Sequence, residues 1–155
     1  MEQRDDVLVY TGPVLDRAVE VTGPVELTLY AASSAVDTDF TAALVDVHPD
    51  GKAIIVCEGI TRACFRESLT HPSPIRPRDV YGYRIHLWET SNVFRAGHRI
   101  RVEISSSNFP RFDRNLNTGA LVGGGETWDV AVQTVFHDAH RLSRIILPVI
   151  PPDGG

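Results

Sequence analysis

The sequence predicts an all-β fold in which two antiparallel sheets pack face to face. Apolar and polar residues alternate with period two through most of the chain, as expected for strands that bury one face. We count about eight or nine such segments, separated by turn residues, whereas a helical period is almost absent. A chain of 155 residues without crossover helices must close as a sandwich, a jelly roll or a small barrel. Two packed sheets are the simplest way to hide one apolar face of every strand.

The alternation is clearest in the segments 25–32, 83–88 and 99–105. We expect the core to be lined by Val25, Leu27, Leu29 and Ala31 from the first, Tyr83, Ile85 and Leu87 from the second, and Ile100, Val102 and Ile104 from the third. A hairpin is predicted where 39–48 and 52–58 flank Pro49-Asp50-Gly51. Proline presets the first central angle of a turn, and glycine accepts a positive φ.

The other segments follow in chain order. The stretch 60–69 fits a strand and a short helix equally well, and Pro72, Pro74 and Pro77 predict an extended connection after it. A long strand is predicted over 126–136, with Trp128, Val130, Val132 and Phe136 on one face, and another over 143–149. Because glycines 123–125 precede a strand and not a helix, they predict a flexible connection instead of a phosphate loop.

The composition is that of a soluble globular domain. Hydrophobic residues form 43% of the chain and charged residues 23%, which excludes intrinsic disorder and collagen-like repeats. The apolar runs are far shorter than the roughly 20 residues of a membrane helix. The formal charge of −5 argues against nucleic-acid binding, which favours a basic surface. We therefore expect neither a membrane nor a nucleic acid as a partner.

The beginning of the chain, MEQRDDVLVY, enters a strand-like run within a few residues. A natural start rarely does so, and we interpret this chain as a part cut from a longer protein. No signal peptide is visible in it, which favours a cytoplasmic location.

We find no motif for nucleophilic or metal chemistry. No serine has the Gly-x-Ser-x-Gly context of a nucleophile elbow, so no catalytic residue is assigned. His137 and His140 lie three apart, but a zinc site would need further ligands from elsewhere. The other histidines, which are His48, His71, His86 and His98, stand singly and are interpreted as hydrogen-bonded imidazoles. We expect no metal and no cofactor.

Two further pairs of residues could suggest a special role. Asp37 and Asp39, in VDTDF, have the spacing of calcium ligands, but without further acidic positions they are better interpreted as turn formers that bond the backbone. Cys57 and Cys64 have no partner histidine at zinc-finger spacing. They are interpreted as small buried residues or free thiols, with a disulfide as the alternative.

The segment 105–119, SSSNFPRFDRNLNTG, is the unusual part of the sequence. It places two phenylalanines, two arginines and three asparagines in a long connection after a strand. Exposed aromatic side chains in a loop indicate a binding surface, and asparagine and aspartate fix an irregular backbone. Arginines interleaved with aromatic residues serve single-stranded nucleic acids or protein interfaces. The acidic net charge favours a protein partner.

This segment resembles a signature of the C-terminal domain of X-Pro dipeptidyl-peptidase and cocaine-esterase-like serine hydrolases, a group that includes α-amino-acid ester hydrolases. The stretches 7–13, 19–51, 58–68, 90–115 and 143–150 agree with the same domain in the same order, so the resemblance covers nearly the whole chain. It implies a jelly-roll β-sandwich of the galactose-binding-domain type. It also implies that residues 1–155 are one domain, which follows an α/β-hydrolase domain and a helical cap in a larger hydrolase.

The resemblance further implies a non-catalytic role. The Ser, Asp and His triad of such enzymes lies in the upstream domain, and no residue here matches it. The domain is expected to pack on the catalytic domain and the cap, to stabilise them and to help shape the surroundings of the active site. We place the following residues on that face: Asp37, Asp39, Phe40, Asn108, Phe109, Arg111, Phe112, Asp113, Arg114 and Asn115. Phe40 is expected to form a wall of the acyl or leaving-group pocket, and the exposed face would allow self-association.

Two alternatives remain open. A carbohydrate-binding jelly roll would use an aromatic platform made from Trp88, Trp128, Tyr81 and Tyr83, although the alternation turns Trp128 inward. A stand-alone metal-dependent enzyme would depend on the histidines alone.

Overall fold

The computed structural model describes residues 4–120 and 125–151. Within these ranges the chain is all-β, and its single helical element is a 3₁₀ turn at Ala63–Phe65. The nine strands are β1 (Leu8–Thr11), β2 (Val19–Ser33), β3 (Asp39–Val47), β4 (Ala53–Arg62), β5 (Tyr81–Phe94), β6 (Arg99–Ser105), β7 (Gln133–Phe136), β8 (Arg144–Ile146) and β9 (Val149–Ile150).

The strands form two antiparallel sheets, which confirms the predicted β-sandwich. The first sheet has the order β1-β6-β3-β4, and the second is built on β2, with β5 along one edge. The other edge of β2 pairs in turn with β7, β8 and β9, so these short strands act as one interrupted strand. Pro148 lies at one interruption, where its carbonyl accepts a hydrogen bond from the amide of Thr22 at 3.0 Å.

The predicted apolar faces meet between the two sheets. The buried core includes all the residues expected from 25–32 and 83–88, together with Val102 and Ile104 of β6, while Ile100 is half-buried. The rings of Phe40 and Tyr83 pack at the centre with centroids 4.8 Å apart. Alternation of period two therefore identified these strands correctly.

The predicted hairpin is also confirmed. β3 and β4 pair from Val47↔Ala53 down to Asp39↔Arg62, and the turn is closed by a 2.8 Å hydrogen bond from the His48 amide to the Lys52 carbonyl. Gly51 has a φ of 86°, which is why this position favours glycine.

The prediction of one long strand over 126–136 is wrong. Only Gln133–Phe136 pairs with β2, and the side chains before it are exposed, with Trp128 at 68%, Val130 at 77% and Val132 at 68%. The physical reason is that a strand needs a neighbouring backbone as well as an alternating pattern. β2 ends at Ser33, which pairs with Gln133, so ladder pairing with β2 begins there. Of the glycines 123–125, Gly123 and Gly124 lie outside the described residues.

Two smaller predictions concern the stretch 60–80 and the two cysteines. The stretch 60–69 contains the end of β4 followed by the 3₁₀ turn, and 66–80 is an irregular connection that inserts Ile75 into the core. Cys57 and Cys64 are free thiols and not a disulfide. Across the described part of the chain, no helix is long and apolar enough to cross a membrane.

Candidate functional site

The loop after β6 folds back over the beginning of β3 and the end of β4. It is fixed there by side-chain hydrogen bonds to residues of the first sheet. The sequence placed Asp37, Asp39 and 108–115 on one face, and the structure brings most of their side chains together through these bonds.

Asn115 makes the central contact. Its amide nitrogen Nδ2 donates to Oδ2 of Asp37 at 2.9 Å and to Oδ1 of Asp39 at 2.8 Å. Both carboxylates are buried, with residue exposures of 2% and 1%. The other oxygen of Asp37, Oδ1, accepts the backbone amide of Cys64 at 2.8 Å. One asparagine thus joins the loop to two buried aspartates that precede and begin β3.

Arg62 forms an ion pair with one of these aspartates, Asp39. Its Nε and Nη2 donate to the two oxygens of Asp39 at 2.8 and 3.0 Å, and Nη2 also donates to Asp113 of the loop at 3.1 Å. A two-point guanidinium–carboxylate contact of this kind is strong and directional. The hydrogen bond to Asp39 raises the pKa of Arg62 above its ordinary value. The guanidinium therefore stays charged and connects β3, β4 and the loop.

A second anchor lies at Glu58 of β4. Asn108 donates from Nδ2 to Oε2 of Glu58 at 2.6 Å, and Arg111 places Nη1 2.6 Å from its Oε1. The Glu58 side chain is 13% exposed, whereas that of Arg111 is 57% exposed. The loop is consequently held to β4 at two points, and the arginine still faces the solvent.

The outer side of this anchored loop is aromatic and basic. Phe109 is 54% exposed, and the guanidinium of Arg114 lies over its ring, 4.3 Å from the centroid. Beneath Phe109 lies a cleft of about 340 Å³, lined also by Glu58, Glu103 and Arg4. Phe112 is half-buried, with the guanidinium of Arg111 5.7 Å from its centroid. We call Phe109, Arg111 and Arg114 the loop surface.

Phe40 has a different place from the one expected. Its residue exposure is 1%, and its ring packs on Tyr83 between the sheets. The side chain points into the core because it alternates with Asp39 and Thr41 along β3. It does not reach the surface of this domain, so we leave it out of the surface proposed below.

Sequence reasoning missed Arg62 and Glu58 as site residues. Both lie in the stretch 58–68, but neither has a local pattern that marks a site. The signal is in the register of β3 and β4, which pairs Arg62 with Asp39 and Glu58 with Ala43. It could have been used only after the hairpin had been aligned residue by residue.

The aromatic platform considered for a sugar is not assembled as expected. Tyr83 is fully buried in the core, and Tyr81 is half-buried beneath the guanidinium of Arg66, whose carbon lies 4.5 Å from the ring centroid. Trp128 is exposed, which corrects the inward orientation predicted for it. Trp88 is 69% exposed. Two of the four rings are therefore unavailable for a flat sugar-stacking surface.

Two histidines that stand singly in the sequence come together in the fold. His98, immediately before β6, lies with Nδ1 2.9 Å from Oδ1 of Asp46. His48, after β3, lies with Nε2 3.7 Å from Oδ2 of the same aspartate. The two imidazole rings have centroids 4.4 Å apart. Sequence spacing could not show this cluster, because adjacent strands bring its members together.

Comparison with known proteins places this architecture in a family. Residues 1–146 match the family described as the X-Pro dipeptidyl-peptidase C-terminal non-catalytic domain. Cocaine esterase of Rhodococcus sp. (strain MB1 Bresler) is 49% identical over 152 residues, which cover 97% of this chain and 26% of that protein. A putative serine esterase of Mycobacterium bovis is 32% identical over 163 residues, which cover 94% of this chain and 24% of that protein. The chain thus spans about a quarter of the length of these relatives.

Solved structures agree with this result. The chain superposes on an α-amino acid ester hydrolase with a TM-score of 0.91 and 28% identity, covering 96% of this chain and 26% of that one. An aminopeptidase from a marine sediment archaeon (Thaumarchaeota archaeon) also gives a TM-score of 0.91, with 32% identity over 96% of this chain and 26% of that one. The expected jelly-roll sandwich and the predicted family are both confirmed. This chain belongs to the X-Pro dipeptidyl-peptidase C-terminal non-catalytic domain family, the C-terminal domain of hydrolases of the cocaine-esterase type.

Proposed function

We propose that residues 1–155 form one accessory domain of a larger serine hydrolase. The domain packs through the loop surface on the catalytic domain and helical cap of the same chain. It contributes no catalytic residue. It stabilises the hydrolase and helps to shape the surroundings of its active site.

The observation that carries this proposal is the contrast between the fixed base of the loop and its exposed tip. Asn115 and Arg62 hold the base through buried carboxylates, while Phe109 stays 54% exposed above it. An exposed aromatic ring on a pre-ordered loop is typical of a protein interface, because docking it costs little conformational entropy. Arg114 lies over this ring, and the Arg111 side chain is 57% exposed on the same loop. Their guanidinium groups suit carboxylates and aromatic groups of a partner surface.

The relatives support the same role. The matched portion of cocaine esterase is only 26% of that protein, and a putative serine esterase matches over a similar share. We therefore infer that the chemistry belongs to the remaining part of such a protein. On its own, this chain should neither hydrolyse p-nitrophenyl butyrate nor be labelled by a fluorophosphonate. Saturable turnover by the purified chain would overturn the accessory role.

A chimera tests the docking surface directly. The matching portion of the Rhodococcus cocaine esterase is replaced by this chain, and ester hydrolysis and thermal unfolding are measured. We expect the chimera to be active. Phe109→Ala and Arg114→Ala should lower its melting temperature and its half-life at elevated temperature.

A matched control is Arg84→Ala, on β5 of the other sheet. Its side chain is 77% exposed, and its nearest carboxylate oxygen, on Glu26, is 3.6 Å away. We expect this control to behave like the parent chimera. In the isolated 155-residue chain, Phe109→Ala should change the free energy of unfolding by less than about 0.5 kcal/mol, as is usual for surface sites. The proposal is wrong if the loop-surface variants and Arg84→Ala affect the chimera equally.

A further inference from the structure

Asp46, His48 and His98 lie at the end of the first sheet that is remote from the loop surface. Asp46 is near the end of β3 and Asp39 is at its beginning, and seven residues of extended chain span about 23 Å. This cluster therefore has no part in the docking surface described above. We propose that it is a binding site for one divalent transition-metal ion of the zinc class.

The spacing of the donor atoms suits such an ion. Nδ1 of His98 lies 2.9 Å from Oδ1 of Asp46, and Nε2 of His48 lies 3.7 Å from Oδ2. One donor atom from each of the three side chains lies within 4.8 Å of the other two. Zinc bonds of about 2.0–2.1 Å in tetrahedral geometry place neighbouring donors about 3.3 Å apart. The distance from His98 to Asp46, 2.9 Å, is shorter than this value, and the distance from His48 to Asp46, 3.7 Å, is longer. Small side-chain rotations therefore complete the site.

The backbone holds all three ligand residues in place. Asp46 and His98 are 7% and 8% exposed; Asp46 lies in β3, and His98 immediately precedes β6, which pairs with β3. The amide of His98 donates to the Arg95 carbonyl at 3.1 Å, and its own carbonyl accepts the Leu15 amide at 2.9 Å. His48 has hydrogen bonds on both sides of its peptide unit within the β3–β4 turn. Ligands fixed in this way pay little ordering entropy when an ion binds.

The donor set indicates the class of ion. Two imidazoles and one carboxylate suit zinc, nickel, cobalt or copper, whereas calcium and magnesium prefer an all-oxygen shell. The His48 side chain is 31% exposed and gives the ion a path from solvent. Water completes the coordination on that side.

Binding also requires one tautomer of His98. An ion on Nδ1 needs the lone pair of that nitrogen, so the neutral imidazole must carry its hydrogen on Nε2. The ion then takes the place of the hydrogen between Nδ1 and the Asp46 carboxylate, and Nε2 gains a hydrogen from solvent as Nδ1 loses one. The bound ion then joins the end of β3 to the beginning of β6.

The test uses the 155-residue chain without a histidine tag, after treatment with a chelator. Zinc chloride is titrated in by isothermal calorimetry, and thermal unfolding is followed with and without zinc. We expect one equivalent of zinc to bind and the melting temperature to rise by several degrees, because the ion binds only the folded state. A cobalt complex should show the visible absorption of a nitrogen- and oxygen-ligated ion.

The variants decide which residues bind the metal. His48→Ala, at the most exposed ligand, should retain the fold by circular dichroism and weaken zinc binding by about tenfold or more. His98→Gln should do the same, and His48→Ala keeps the test decisive if the buried variant does not fold. The control is His137→Gln with His140→Gln, which removes the other closely spaced histidines and should leave binding unchanged. The proposal is overturned if the parent chain binds no stoichiometric zinc. It is also overturned if binding survives His48→Ala or is lost in the control.

Discussion

The amide nitrogen of Asn115 lies 2.8 Å from Oδ1 of Asp39, although the two residues belong to a loop and to a strand far from it in sequence. The contact explains how a long irregular segment keeps one shape. Arg62 donates to both oxygens of the same aspartate, including the Oδ1 that accepts Asn115. The buried carboxylate therefore acts as a common acceptor for the loop and for β4.

Asn115→Ala should destabilise the isolated chain by about 1–3 kcal/mol, because it removes the donor to the buried Oδ2 of Asp37 and one of the two donors to Oδ1 of Asp39. The measurement is the free energy of unfolding in urea. Asn115→Asp should be worse, since it brings a third carboxylate to the same place. Equal stability of both variants and the parent would mean that the loop is not anchored here.

Arg62→Met should cost more than the asparagine variant, about 3–5 kcal/mol, because it leaves Asp39 buried without its cation. Arg62→Lys should recover only part of the loss, since an ammonium cannot make the two-point contact of 2.8 and 3.0 Å. Urea unfolding of the three proteins gives the ranking. A lysine variant as stable as the parent would show that charge alone is required.

The anchor of the loop also shows where sequence reasoning ends. The asparagines, phenylalanines and arginines of 105–119 predicted a shaped surface by their composition alone. Their partners were not predictable, because a bulge determines them. If the pairing that begins at Val47↔Ala53 next to the turn continued without interruption, Thr61 would lie opposite Asp39. Val56 is an extra residue between the pairs Val45↔Ile55 and Leu44↔Cys57, and it shifts Arg62 onto Asp39.

The overall fold was also predictable only where a local sequence pattern determines it. Alternation predicted the buried faces of β2, β5 and β6 because burial of one face is a local property of a strand. It failed at Trp128, because this part of the chain pairs with β2 only over Gln133–Phe136. At Trp88 the prediction was partly successful. The position of the side chain on the outer face was predictable, but the backbone φ of 70° was not. That conformation lies opposite the register shift between Pro24 and Glu26 on the partner strand.

The two thiols should be poorly reactive in the folded chain at pH 8. Burial raises the pKa of Cys57 to about 11 and that of Cys64 to about 11. At pH 8 the thiolate is then about a thousandth of each thiol. A chromogenic disulfide reagent should react slowly in buffer and rapidly with both cysteines in urea. Equal rates in the two conditions would contradict the burial of the thiols.

The raised pKa of the two thiols also predicts that the folded chain loses stability at alkaline pH. An unfolded cysteine, with a pKa near 9.0, gives up its proton at lower pH than a folded one with a pKa of about 11. The stabilising contribution is therefore constant below about pH 9 and is lost between about pH 9 and 11. The free energy of unfolding should fall over this range in the parent. The fall should be smaller in a variant that carries Cys57→Ala and Cys64→Ala, and an identical fall would exclude the thiols as its source.

Gly59→Ala should be among the most disruptive single substitutions in the chain. A Cβ atom at Gly59 of β4 would lie 2.0 Å from the carbonyl oxygen of His86 and 3.2 Å from Cα of Leu87, both in β5. These are backbone atoms, so the two strands must separate where the sheets approach each other. We expect a loss of about 3 kcal/mol or more, measured by urea unfolding, because overpacked sites cannot relax cheaply.

Gly51→Ala is the matched comparison for this effect. Gly51 has a φ of 86°, but a Cβ there would meet no atom within 4 Å. Its substitution should cost about 1–2 kcal/mol from the left-handed backbone alone. If Gly59→Ala is no more destabilising than Gly51→Ala, then β4 and β5 do not make the close backbone contact on which this prediction depends.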